Sequence, residues 1–141
     1  MPAEPPVLDS SAISRMVLLE DGWESVDEVI QRAEDHDLVP RSLEFAKLEA
    51  LSSIWKHVAL FRKLDLTRAL LLVESLSTQP INYEVADDAL MKHALELGVR
   101  HRHSTYDTSF VALAKRTGGM LVTTDEKLSK IAAKYVKVLL V

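Results

Sequence analysis

Four acidic residues carry most of the chemical information in this chain: Asp9, Glu49, Asp107 and Asp125. Asp9 closes the apolar run Val7-Leu8 and opens Ser10-Ser11-Ala12-Ile13. Asp107 stands in Ser104-Thr105-Tyr106-Asp107, ahead of the run from Phe110 to Ala114. Asp125 follows Met120-Leu121-Val122-Thr123-Thr124 and precedes Glu126-Lys127-Leu128. All three aspartates read as positions where a strand ends and a helix begins. In an open α/β sheet, the crevice beyond the carboxyl ends of the strands is where ligands bind. Carboxylates gathered there repel one another, and a pair about 4 Å apart costs on the order of 4 kcal/mol at an effective dielectric near 20. A divalent cation removes that cost. Oxygen ligands suit Mg²⁺ or Mn²⁺, and a chain without cysteine has neither thiolate zinc sites nor cysteine nucleophiles.

Each acid also has a purely structural reading. Asp9 fits the cap of the helix that follows it. Ser104 with Asp107, and Thr123 with Glu126, have the spacing of capping boxes, and an acid in a first turn suits the helix dipole. Glu49 falls in a long helical pattern. At about 100° per residue, it shares a face with Ser52, Ser53 and Lys56, turned away from Ile54, which is either a site wall or a solvated surface. Glu44 is a lesser rival to Glu49, and Asp87 and Asp88 read as ordinary helix-start acids.

These residues need a frame that alternates strands and helices. Helical patterns run over 11–20, 25–35, 41–63, 65–76, 87–97, 105–117 and 125–134. The longest has an apolar stripe of Leu43, Ala46, Ala50, Ile54, Val58 and Phe61, and Gly98 is expected to stop the fifth. Extended segments fall after Pro5-Pro6, at 38–40, 80–83, 120–123 and 136–140. Alternation of this kind predicts an α/β fold: a central parallel sheet of four to five strands covered by helices on both faces. At 141 residues, 1–141 is expected to form one domain.

In that order, the blocks resemble the PIN-domain nucleases. Val7-Leu8-Asp9-Ser10-Ser11 is similar to the family's opening. Leu48 to Lys56 resembles its second block, with Ser52 where many relatives carry Asn. Ser104 to Ala114 is similar to its third block, and Leu121 to Leu128 to its fourth. The compact length is most like VapC-type toxins of prokaryotic toxin–antitoxin pairs. The resemblance implies a three-layer PIN-like fold and a Mg²⁺- or Mn²⁺-dependent endoribonuclease. It also implies that the enzyme is commonly a homodimer inhibited by a small antitoxin. On that reading Asp9 and Asp107 hold metal, Asp125 and Glu49 complete the site, and Ser11 and Thr123 orient the carboxylates. Water activated by the metal, rather than a protein nucleophile, is expected to hydrolyse the RNA.

Positive charge for RNA is sought at Arg15 and in Val99-Arg100-His101-Arg102-His103, where Arg100 and Arg102 are the candidates. The two alternate histidines are by themselves weak evidence for metal. Trp55 and Phe61 are expected in the core or at a dimer interface. A net charge of −4 argues against a general polyanion binder. With no basic-apolar leader and no apolar run long enough to cross a bilayer, a cytoplasmic protein with no membrane contact is expected. Asp9-Ser10-Ser11 lacks the acidic pair of a receiver domain and the Asp-x-Asp of a dehalogenase-type phosphatase. The competing reading is a catalytically silent PIN-like module that binds protein, its acids serving only as caps.

Overall fold

The computed structural model describes residues 3–141. Five strands form one parallel sheet: β1 (Pro6–Leu8), β2 (Arg41–Leu43), β3 (Asn82–Glu84), β4 (Met120–Thr123) and β5 (Lys137–Leu140), in the order β3-β2-β1-β4-β5. Among the described residues, seven helices connect and cover them: α1 (Ser10–Val17), α2 (Trp23–Asp35), α3 (Phe45–Ala59), α4 (Leu66–Thr78), α5 (Asp88–His101), α6 (Thr105–Thr117) and α7 (Glu126–Ala132). The result is the expected three-layer arrangement of helix, sheet and helix.

The central strand is the most deeply buried. Val7 and Leu8 of β1, and Leu121 and Val122 of β4, have no accessible surface, as expected for strands covered on both faces. Chain order runs outward from β1 through β2 to β3, whereas β4 and β5 lie on the other side. The direction of winding therefore changes between β1 and β4, where crevices form in open α/β sheets. Gly119 lets β4 begin there: a Cβ on residue 119 would stand 2.5 Å from Pro5 O, so only glycine lets the two strands draw alongside. Met120 N donates to that same Pro5 oxygen at 3.0 Å, and Asp9 N continues the ladder to Val122 O at 3.1 Å.

Three local expectations are corrected. The helix expected over 41–63 is a strand followed by a shorter helix. Arg41, Ser42 and Leu43 pair with Asn82, Tyr83 and Glu84, and Ser42 Oγ donates to Leu8 O at 2.7 Å, so ladder pairing overrides the helical period. The extended segment expected at 38–40 is thus displaced to 41–43, beyond Pro40, which has no N–H to give a ladder. Gly98 does not end α5, which runs on to His101 and is capped by Arg102 at φ 50°. Of the two places expected for Trp55 and Phe61, the core is ruled out and the dimer interface is not: each leaves about half its surface exposed (54% and 53%), and Phe61 lies beyond the end of α3.

Candidate functional site

Asp9 leaves β1 in extended conformation and caps α1, with its Oδ1 accepting from Ala12 N at 2.9 Å. The same oxygen accepts from Ser11 Oγ at 2.6 Å, and Oδ2 accepts from Thr123 Oγ1 at 2.5 Å. Thr123 Oγ1 in turn accepts from Asp125 N at 3.1 Å, and Ser11 Oγ accepts from Thr124 N at 3.0 Å. Ser11 and Thr123 therefore tie the ends of β1 and β4 together around one carboxyl group. Asp9 is 3% exposed, and burial raises its pKa to about 6, against the lowering effect of its three hydrogen bonds. The nearby Asp107 charge pushes it further in the same upward direction.

Asp125 is the cap of α7: its Oδ1 accepts from Lys127 N at 2.9 Å and Leu128 N at 3.1 Å. This corrects the capping-box assignment, in which Thr123 would be the cap and Glu126 its acid. Asp107 lies in the first turn of α6, whose cap is Ser104, accepting from Tyr106 N. Contrary to the strand-end reading, α6 follows helix α5, so Asp107 reaches the site from a helix–helix connection. Its Oδ2 sits 2.9 Å from His103 Nε2. Ligand atoms of His103, Asp107 and Asp125 all lie within 4.8 Å of one another.

Caps and site are not alternatives here. Asp125 gives one oxygen to its helix and Asp107 gives one to His103, while Asp125 Oδ2 and Asp107 Oδ1 accept no hydrogen bond from the described residues. Two open carboxylate oxygens with a neighbouring buried carboxyl form a hard donor set, which fits Mg²⁺ or Mn²⁺.

Glu49, like Asp9, is not part of the group formed by His103, Asp107 and Asp125. Its Oε1 accepts from Ser10 Oγ at 2.6 Å, and it lines a polar cavity of about 440 Å³ between α1 and α3, together with Arg15, Ser52, Ser53 and Lys56. Arg15 also donates to Val141 O at 2.6 Å. Arg100 lies 3.5 Å from Tyr135 Oη, and Arg102 forms the turn after α5; neither lines the cavity. Glu44 belongs elsewhere, paired with Lys47 at 3.3 Å.

Sequence reasoning missed Ser10 and undervalued His103. The four-residue spacing from His103 to Asp107 was a usable signal. Nothing in the linear chain links Ser10 to a residue 39 positions away.

The PIN domain family model matches residues 7–134, which include all four acids. Ribonuclease VapC3 of Pyrobaculum aerophilum is 27% identical over 126 residues, spanning 88% of this chain and 92% of that protein. The crystal structure of PAE2754 from Pyrobaculum aerophilum has the same fold, with a TM-score of 0.68 and 24% identity. It covers 96% of this chain and 91% of its own.

Proposed function

The chain belongs to the PIN-domain family, and from that premise we propose that it is a metal-dependent endoribonuclease of the VapC toxin type. The observation that carries the reading is the pair of open oxygens on Asp107 and Asp125, set beside the buried carboxyl of Asp9. Similarity to a protein named as a ribonuclease supports RNA as the substrate.

Asp107 and Asp125 would hold Mg²⁺ or Mn²⁺, with Asp9 beside them and Glu49 acting directly or through water. When bound, such an ion lowers the pKa of a water and neutralises charge on the attacked phosphate. The chain's own residues supply the rest. Ser11 and Thr123 fix the Asp9 carboxyl from two sides. Ser10 holds Glu49 toward the cavity. Arg15 and Lys56 give that cavity the positive charge a phosphodiester backbone requires, and Arg100 and Arg102, outside it, are further candidates for phosphate contact.

The same reading gives the protein a small antitoxin partner and a homodimeric state, acting on RNA in the cytoplasm. Exposed Leu48, Leu51, Trp55, Leu66, Leu70 and Leu71 on α3 and α4 offer apolar surface for such contacts. Among the described residues, no helix is long and apolar enough to cross a membrane.

The test pairs calorimetric titration of Mn²⁺ with cleavage of a total RNA pool by purified protein freed of any partner. Wild type should bind the ion and cut RNA in Mg²⁺ or Mn²⁺. EDTA should stop cleavage, and Asp107→Asn should lose both properties. Cleavage persisting in Asp107→Asn would mark a contaminant. Metal binding without any cleavage across the pool would replace the nuclease reading with that of a protein-binding module.

A further inference from the structure

His103 occupies the short link between α5 and α6, and the chain is shaped to bring it there. Arg102 turns the backbone through the left-handed region, and His103 N then donates to Gly98 O at 3.0 Å. Gly98 makes the close approach possible: a Cβ at that position would lie 3.0 Å from both His103 O and Thr105 Cγ2. The link therefore lies flat on α5, and the His103 side chain is left only 8% exposed. A buried imidazole nitrogen requires a partner, and the partner of Nε2 is Asp107 Oδ2 at 2.9 Å.

From this arrangement we propose that His103 is a positioning residue of the nuclease site: it clamps one oxygen of Asp107 and leaves the other open for a metal shared with Asp125. The proposal rests on the metal-site reading above. An ionised carboxylate only accepts hydrogen bonds, so Nε2 carries the hydrogen and has no lone pair to give a metal. Through this nitrogen His103 acts on the metal by way of the Asp107 carboxylate, and a ligand atom of its ring lies within 4.8 Å of one on each acid. The Asp107 side chain is itself 36% exposed. Without the clamp, a first-turn aspartate has rotamers that swing it into solvent, and ligand geometry must then be recovered at each binding event. Partners that orient a metal's ligands in this way typically contribute about 10–100-fold to affinity.

The experiment compares His103→Phe, which keeps the ring's bulk without a donor, with His103→Gln, whose amide nitrogen reaches about as far as Nε2. Mn²⁺ affinity is measured by calorimetry on the full chain, and kcat and KM are measured on RNA. His103→Phe should weaken Mn²⁺ binding about 10–100-fold and lower kcat, with little change in KM. His103→Gln should restore most of both. If His103→Phe does not fold, His103→Asn, whose amide is too short to reach Asp107, takes its place and should show the same loss. Wild-type Mn²⁺ affinity in the donor-less variant overturns the proposal. So does a His103→Gln protein as impaired as His103→Phe, because packing alone would then explain the effect. Asp107→Asn in the same titration separates the two levels: if it binds Mn²⁺ normally, the metal-site reading fails, and the clamp fails with it. If it loses Mn²⁺ while His103→Phe does not, only the clamp fails.

Discussion

Thr123 Oγ1 donates to Asp9 Oδ2 across 114 positions of sequence, and this one hydroxyl also receives the N–H of Asp125. It joins the ends of the two innermost strands and gives a buried carboxyl its second anchored oxygen. Thr123→Val keeps the shape and removes the donor. An unpaired buried acceptor costs about 1–3 kcal/mol. The midpoint of thermal unfolding should fall by roughly 3–10 °C, following the enthalpy scaling of a domain this size. An unchanged midpoint would mean that the hydroxyl contributes nothing to holding Asp9.

The raised Asp9 pKa makes a signed prediction for the metal-free protein. The folded group binds its proton up to about pH 6, whereas the unfolded group releases it near 3.8. Between those values the native state holds more protons, so this group's contribution to stability declines as pH rises and levels off above about 6. The ionised, buried carboxyl then costs about 3 kcal/mol relative to an unperturbed one. In chelator, Asp9→Asn should lack that decline and equal or exceed wild type at pH 7.5 by urea unfolding. A variant less stable than wild type at every pH would show that the α1 cap outweighs the burial cost.

Metal should reverse that balance. Mn²⁺ at a hundredfold excess over its Kd should stabilise wild type by about 2.7 kcal/mol, through mass action on the folded state. Asp107→Asn should show almost none of this gain in the same thermal scans. Equal gains in both proteins would place the ion elsewhere.

Arg100 and Arg102 lie outside the cavity and should govern RNA affinity without touching the metal. Replacing both by Gln should reduce the slope of log K against log salt by about 1.4, at about 0.7 per phosphate contact on a single strand. Mn²⁺ affinity should stay within experimental error. A slope equal to wild type would remove these two residues from the RNA path.

Much of this architecture was legible because the signals are local. Val7-Leu8-Asp9 and Leu121-Val122-Thr123 announce buried parallel strands by their apolar character, and Asp65 and Asp87 announce helices by capping them. Strand β2 was not legible: three residues, Arg41-Ser42-Leu43, continue the helical period into α3, and only pairing with β1 and β3 decides their state. The site divides the same way. Asp9 and Asp125 could be placed from the strand ends they follow. The grouping of Asp107 with Asp125 and His103, and the tether from Ser10 to Glu49, arise from contacts between elements that only the assembled fold creates.

The way Asp125 divides its two oxygens decides how an inert copy of this protein should be made. Alanine there would remove the α7 cap along with the open oxygen, at about 1 kcal/mol for the cap alone. Asparagine keeps an oxygen for Lys127 N and Leu128 N and puts an amide nitrogen where the open oxygen stood. That nitrogen offers hydrogens instead of lone pairs and turns a cation away. Asp125→Asn should therefore yield a fully folded protein that grips RNA without cutting it, suited to trapping the uncut target and reading which sequence the enzyme selects.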